Sequence, residues 1–290
     1  MINNTLKITR TSIKYFISII IAFLVINGQG AKAGIINSYS ITSAEIKEIE
    51  EWVDKDTLIF IEIDNTLMIP KSLMFSRNSN PYSLFIENLI AYGKRIPSYN
   101  KSVAKWYEQR RVKLVEDDWV DLINRLKAKT NAVYGLCSMP IHLINIEEKR
   151  YNEAKDLKVI FSDTINKQDD MLIGKKEGWP THFYKGILFT GALDKSKALL
   201  EFLRVSSNVP PKMLVITSIT HEAKNIERAL RIFNMDYRVI FYSGAKEIVG
   251  IPNAAIAQLQ QRELIENNRW LEDDAAAQQL ESLKSSLKEK

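Results

Sequence analysis

Residues 58–66 read Leu-Ile-Phe-Ile-Glu-Ile-Asp-Asn-Thr, and this stretch sets the fold expected for the chain. The first four residues form a short apolar run with β-branched members, which predicts a fully buried β-strand ending at Glu62. Asp64 follows two residues later. Two carboxylates at the end of a buried strand concentrate negative charge where solvation is poor, so we expect a cation to neutralise them.

Two interpretations of these carboxylates stay open at the level of the residues themselves. One is a Mg²⁺ site for phosphoryl chemistry, in which one carboxylate attacks phosphorus, another moves a proton and the metal balances the phosphate charge. The other is an acidic strand end that is solvated in a loop, with residues 64–66 capping a turn.

Strand and helix patterns alternate along the chain on both sides of this stretch. Further apolar strands are predicted at 132–137, 157–161, 186–190, 213–217 and 238–242. Amphipathic helices are predicted at 118–129, 194–205 and 222–233. This alternation indicates an α/β fold with a largely parallel sheet that helices cover on both faces. Ligands of such sheets bind beyond the carboxyl ends of the strands.

Three segments depart from the alternation. Residues 67–111 are rich in Asn, Ser, Pro and aromatic residues, which predicts a helical insertion, or cap, over the site. Residues 254–290 carry a partial apolar stripe and are expected to form one long helix or two. Residues 1–33 resemble a signal peptide, so the remaining 34–290 would form a single domain with its cap.

The proposed leader has three parts in the expected order. Lys7, Arg10 and Lys14 precede an apolar run at 15–26, and Ala31-Lys32-Ala33 forms a small-x-small cleavage site. The run is twelve residues long, whereas a membrane-spanning helix needs about twenty, so a retained anchor is the weaker alternative. We therefore expect an exported protein, periplasmic or secreted, that begins at Gly34 and has no stable membrane span.

Net charge bears on the class of partner, and cysteine content bears on disulfide bonding. The leader holds four of the forty Lys and Arg residues and none of the Asp and Glu residues, so its removal lowers the formal charge from +5 to +1. A nearly neutral domain does not favour a nucleic-acid partner. Cys137 is the only cysteine, so no intrachain disulfide can form.

The order of the motifs resembles the haloacid dehalogenase (HAD) superfamily. Residues 60–67 are similar to its first motif, an apolar strand that runs into Asp-x-Asp-x-Thr-Leu. Residues 135–138, 186–195 and 213–218 fall where its later motifs are expected. The match covers about residues 56–243 and is closest to an exported HAD-like family known only as a domain of unknown function. The resemblance implies a HAD-like Rossmannoid fold.

The resemblance also implies roles for particular residues. Glu62 would stand at the nucleophile position and Asp64 at the proton-shuttling position, and both would ligate Mg²⁺. Thr66 would brace the loop, and Lys195 would face the phosphate and lie near Asp64. Each role has a plain alternative: Asp64 and Thr66 can stabilise a turn, and Lys195 can be an exposed residue in the first turn of a helix.

The second motif of the superfamily supplies a substrate-binding hydroxyl group. Cys137 occupies its place in the strict register, and the neighbouring Ser138 could substitute for it. A thiol donates a poorer hydrogen bond to phosphate than a hydroxyl does.

Two further departures affect the chemistry directly. Glu62 replaces an aspartate, and displacing a reacting group by about 1 Å can cost about a hundredfold in rate. The superfamily's fourth-motif aspartate pair falls on Thr217-Ser218, or on Thr220-His221 in a shifted register, and neither register supplies a carboxylate. Glu222 lies nearby, but its place at a helix start favours interaction with the helix dipole.

These departures predict a phosphatase-like fold with a degenerate active site, a pseudoenzyme that acts as a binding module for a phosphorylated small molecule or a protein partner. The alternative is a slow Mg²⁺-dependent phosphomonoesterase, an acid-phosphatase-like hydrolase. Magnesium is expected only if the protein is active. A hydrogen bond from Thr217 to Glu62 would favour the binding role, and Mg²⁺ bound at Glu62 would favour the enzyme.

Overall fold

A computed structural model describes residues 34–76, 81–138, 145–164, 168–173, 180–206 and 209–288. Its strands are β1 (Gly34–Ser38), β2 (Thr57–Glu62), β3 (Met68–Pro70), β4 (Val112–Leu114), β5 (Val133–Cys137), β6 (Asp170–Ile173), β7 (Thr181–Tyr184), β8 (Ile187–Phe189), β9 (Lys212–Thr217) and β10 (Asp236–Tyr242). Its helices are α1 (Ala44–Trp52), α2 (Phe85–Gly93), α3 (Pro97–Gln109), α4 (Trp119–Lys129), α5 (Ile146–Asp156), α6 (Lys195–Val205), α7 (Thr220–Leu230), α8 (Ala254–Asn267) and α9 (Asp273–Lys288). Short 3₁₀ turns occur at Leu73–Phe75 and Gly244–Glu247. The predicted leader at 1–33 lies outside the described residues.

The main sheet is mixed but mostly parallel, as the sequence predicts. Its eight strands lie in the order β1-β10-β9-β2-β5-β8-β7-β6. Along this order, each of the first six strands is parallel to its neighbour. Strand β7 pairs antiparallel with β8, and β6 pairs antiparallel with β7 at the edge. Because parallel strands share one carboxyl-end edge, the ends of β2, β5, β8 and β9 lie side by side.

Strand β2 is central and buried on both faces. Leu58 and Phe60 pack with the apolar faces of α6 and α7, whereas Ile59, Ile61 and Ile63 pack in the opposite core with α1, α4 and α5. Side chains of a strand alternate between its faces, so burial on both faces requires a continuous apolar run. The buried strand predicted at 58–61 is thereby confirmed, and Glu62 ends it at 3% exposure.

The strand predicted at 157–161 is wrong. Lys158 has a φ of 63°, so the backbone turns sharply directly after α5. Beyond this turn Ser162 N donates one bond to Val133 O at 2.8 Å, and no ladder extends from it along the described residues. Phe161 is buried although Ile160 is 62% exposed, which shows that the segment packs on the core as irregular chain. Its apolar composition reflects burial rather than sheet pairing.

The segment between β2 and α4 covers the carboxyl-end edge of the sheet. Strands β3 and β4 pair antiparallel at its base, and α2 and α3 lie between them. The C-terminal segment forms two helices, α8 and α9, that hold this cover in place. Trp270 N donates to Gln109 Oε1 at 2.7 Å, and Arg111 N donates to Glu272 Oε1 at 2.6 Å.

None of the described helices combines the length and the apolar composition that a membrane crossing requires.

Candidate functional site

The carboxyl ends of β2, β5 and β9 bring the predicted site residues together. Glu62 ends β2, Cys137 ends β5 and Thr217 ends β9. Lys195 is the first residue of α6, where Asp194 caps the helix by accepting a hydrogen bond from Lys197 N at 2.9 Å. The parallel sheet therefore gathers residues that lie far apart in sequence at one edge.

One oxygen of Glu62 accepts four hydrogen bonds. Its Oε2 accepts from Thr66 Oγ1 at 3.0 Å and from Thr217 Oγ1 at 2.7 Å. It also accepts from Ser218, through the backbone N at 2.7 Å and through Oγ at 3.2 Å. Such an oxygen has no lone pair left for another partner. Thr66 thus braces the site by holding Glu62 directly.

The other oxygen of Glu62 is held by Lys195. The Lys195 ammonium donates to Glu62 Oε1 and to Glu222 Oε2, the latter at 2.5 Å. Burial opposes the ammonium charge, but Glu62 and Glu222 outweigh burial and raise the pKa of Lys195. Lys195 is only 3% exposed, so it is a buried ion-pair partner and not an ordinary surface residue. Glu222 takes part in the site in addition to lying in the first turn of α7.

Asp64 lies in a tight turn that leads away from β2. Asn65 adopts the left-handed conformation with a φ of 62°, and its N–H donates to Met68 O at 3.0 Å. Asp64 Oδ1 accepts from Arg150 Nη2 at 2.8 Å and more distantly from Arg110 Nη2 at 3.5 Å. The side chain of Asp64 remains 30% exposed, which makes it the more accessible of the two motif carboxylates.

Two buried arginines complete the site, and the sequence did not indicate either of them. Arg110 donates to Glu153 from Nε at 3.0 Å and from Nη2 at 3.2 Å, while Arg150 also donates to Glu153. The guanidinium of Arg110 lies 4.3 Å from the ring centre of Trp106 and 4.4 Å from that of Tyr107. Bidentate pairing and aromatic stacking both favour arginine over lysine at this position.

Of the two candidate second-motif residues, Ser138 rather than Cys137 reaches the site surface. Cys137 is 2% exposed, and its Sγ lies 3.9 Å from Asp64 Oδ2. Burial, together with the negative charge of Asp64, raises the pKa of the Cys137 thiol well above its usual value. The thiol is therefore neutral and inert at physiological pH, whereas Ser138 is exposed and lines the cleft.

A cleft of about 320 Å³ opens above these residues. Its floor includes Glu62, Asp64, Ser138, Arg110 and Lys195, and its walls include Phe75, Ile86, Ile90, Trp106 and Tyr107 from the covering segment. The expected proximity of Asp64 and Lys195 is met, because both face this one cleft. Its volume is in the range of small-molecule sites.

Comparisons with known proteins place the chain in a family. Residues 42–277 match the model of the family described as "Protein of unknown function (DUF2608)". The chain belongs to this family. It is 35% identical over 249 residues to the uncharacterized protein RP296 of Rickettsia prowazekii (strain Madrid E), an alignment that covers 85% of this chain and 91% of the relative. No solved structure matches it.

The side chains of this DUF2608 site do not fit Mg²⁺. Within the described ranges, no group of three or more His, Cys, Asp or Glu residues is arranged to hold a metal ion. Magnesium needs oxygen ligands in nearly octahedral geometry. Both oxygens of Glu62 are already engaged, and the Asp64 oxygen nearest the arginines accepts from Arg150. Ammonium and guanidinium groups thus neutralise the carboxylates for which a metal was expected.

Proposed function

We propose that this protein is an exported, HAD-like phosphatase-fold protein whose site binds a ligand and does not transfer phosphoryl groups. The placement of the motif segments supports the HAD-like assignment. The segment with Glu62 and Asp64 ends the central strand β2, and those with Cys137 and Thr217 end its two neighbours. Lys195 reaches the same edge from the start of α6.

The observation that carries the proposal is the engagement of Glu62. A carboxylate that attacks phosphorus must present a lone pair to the substrate. Oε2 of Glu62 accepts four hydrogen bonds, and Oε1 is paired with Lys195. Although Glu62 borders the cleft, it is 3% exposed and can present neither oxygen to a substrate without breaking these contacts. Glu62 therefore acts as a structural anion that orders the edge of the sheet.

The fourth-motif positions support the same conclusion. Thr217 and Ser218 stand where the superfamily carries metal-binding carboxylates, and here they donate hydrogen bonds to Glu62. In place of carboxylates that would bind a metal, these positions carry hydrogen-bond donors that stabilise the charge of Glu62. Glu222, the nearest spare carboxylate, is paired with Lys195.

The rival function is a slow Mg²⁺-dependent phosphomonoesterase. It is favoured by Asp64, which is 30% exposed at the proton-shuttling position and lines the same cleft as Lys195. The two functions differ in an assay of p-nitrophenyl phosphate hydrolysis with saturating Mg²⁺. We expect wild type and Glu62→Gln to be indistinguishable. Mg²⁺-dependent turnover above the protein-free background that is lost in Glu62→Gln rejects the binding role.

Metal titration provides an independent test. Calorimetry of the protein with Mg²⁺, with and without inorganic phosphate, is expected to give no binding heat in either condition. Saturable Mg²⁺ binding that Asp64→Asn removes supports the enzyme instead.

Export is the remaining part of the proposal, and it rests on the order of basic, apolar and small residues in 1–33. Mass spectrometry of protein recovered from its native compartment is expected to give Gly34 as the first residue. A chain that still begins at Met1 contradicts export by leader cleavage.

A further inference from the structure

The charged side chains beneath the cleft form two ion-pair networks. Lys195 lies between Glu62 and Glu222, which leaves one uncompensated negative charge when all three groups are ionised. Arg110 and Arg150 are balanced by Asp64 and Glu153. Neither network has a surplus cation for a phosphate, whose negative charge would be added at low dielectric.

The three cations are also occupied. Lys195 is shared between Glu62 and Glu222, and the two arginines are held by Glu153 and Asp64. Their side chains are between 0% and 3% exposed. A phosphate could bind them only by displacing carboxylates that would then be buried without partners, which is costly.

Asp64 offers the opposite chemistry. Its Oδ1 accepts from the arginines, while the described contact of Oδ2 is the thiol of Cys137 at 3.9 Å. A neutral thiol is a weak donor. The Asp64 side chain is 30% exposed and lines the cleft, and its Oδ2 therefore retains accepting capacity for a charged N–H donor, which would form a short hydrogen bond.

The walls of the cleft are suited to an apolar body. Phe75, Ile86, Ile90 and Trp106 project from the covering segment toward the same space as Asp64. A ligand with a positive head and a hydrocarbon tail would satisfy both surfaces at once.

We propose that the cleft binds a small organic amine, with its ammonium head on Asp64 Oδ2 and its apolar tail against Ile90 and Trp106. This inference rests on the proposed binding role and names its ligand class. It replaces the phosphorylated small molecule that the resemblance implies.

Calorimetry of the full-length protein at pH 7 with hexylammonium, hexanol and hexyl phosphate tests the head group. The three probes share a tail, so their affinities report the head alone. Hexylammonium is expected to bind at least tenfold more tightly than either of the others. Hexyl phosphate that binds as tightly as hexylammonium, or hexylammonium that fails to bind, overturns the inference.

Two variants test the placement of the ligand. Asp64→Asn should weaken hexylammonium binding at least tenfold, whereas Asp56→Asn, which changes an exposed acid outside the cleft, should leave it unchanged. Ile90→Ser should weaken hexylammonium more than methylammonium, because it removes a contact with the tail only. This variant keeps the test valid if Asp64→Asn unfolds. Equal binding by wild type and Ile90→Ser overturns the placement.

The outcome is separable from that of the proposed function. Phosphatase turnover in the hydrolysis assay rejects the binding role whatever the amine result. Absence of turnover together with absence of amine binding rejects only the ligand class.

Discussion

Thr217 Oγ1 donates a hydrogen bond to Glu62 Oε2 at 2.7 Å across 155 positions of sequence. Both side chains are buried, and the bond links the ends of neighbouring parallel strands β9 and β2. Under the HAD-like assignment proposed above, Thr217 takes the place of a metal-binding carboxylate and Glu62 that of the nucleophile. The two departures from that pattern would then compensate each other physically.

The first prediction concerns the strength of this link. Thr217→Val keeps the shape of the side chain but removes the donor, leaving a buried carboxylate with one partner fewer. Hydrogen bonds to charged groups contribute about 1.5–3 kcal/mol, so we expect the free energy of unfolding in urea to fall by about that amount. Thr42→Val, at an exposed position, serves as the control and should shift stability by less than about 0.5 kcal/mol.

Much of the site's backbone frame follows from sequence alone. Burial on both faces makes β2 a continuous apolar run, and the parallel sheet then places the ends of 132–137 and 213–217 beside Glu62. The same logic brings Lys195 to this edge. The local sequence pattern is sufficient for these residues because each of them lies at the end of a strand or at the start of a helix.

The arginine network could not be predicted in this way. Arg150 reaches Asp64 across 86 positions, and Arg110 reaches Glu153 across 43. Both contacts depend on how α3 and α5 pack over the sheet, which no periodicity specifies. An arginine directly after α3, close to Trp106-Tyr107, is the only local signal, and exposed arginines beside aromatic residues are common.

The sequence patterns also do not predict the strands at the edges of the sheet. Strand β1 has only Ile35 and Ile36 as a β-branched run, and β6 and β7 form an antiparallel hairpin outside the strand–helix alternation. Edge strands are partly solvated, so their apolar pattern is weaker than that of β2.

The second prediction concerns Lys195 as the internal counter-ion. Lys195→Met should cost about 3–5 kcal/mol at pH 7, because it leaves the buried Glu62 and the half-buried Glu222 without their cation. Burial raises the pKa of Glu222, and loss of the ammonium that opposes this shift should raise that pKa further, so that stability is lost as pH rises. The deficit of the variant should therefore shrink as pH is lowered toward 5. Lys197→Met, at an exposed position two residues further along α6, should show neither effect. A pH-independent deficit in Lys195→Met contradicts the counter-ion role.

The third prediction concerns His182, whose hydrogen bonds link the β6–β7 hairpin to α5. Its Nδ1 lies 3.1 Å from Glu147 Oε1 and its Nε2 lies 2.7 Å from Asp170 Oδ1. The carboxylates, Glu147 first, raise the pKa of His182, and His182 lowers the pKa of Glu147. The imidazolium thus contributes stability that is complete below the unfolded pKa of about 6.5 and is lost as pH rises through the higher folded value.

Urea unfolding between pH 5.5 and 8.5 measures this effect. Wild type should lose stability across the upper part of that interval, and His182→Gln should flatten the profile there. His221→Gln is the matched control, since His221 is exposed. If the free energy of unfolding had the same pH dependence in wild type and His182→Gln, the contacts of His182 with the two carboxylates would not be ionic.

The last prediction concerns repair of the site that we propose to be degenerate, because two defects in one site should not act independently. Glu62→Asp alone should leave phosphatase activity near background, since no carboxylate stands at Thr217 or Ser218. Thr217→Asp alone should also do little, because the longer Glu62 stays badly placed for in-line attack and repels the new carboxylate. The double substitution should exceed the product of the single effects, as expected for groups that act as a unit. If Glu62→Asp alone reached about one turnover per second, the metal-binding carboxylate would have to come from a position other than Thr217 or Ser218. Glu222, already within 2.5 Å of the Lys195 ammonium, would then be its leading candidate.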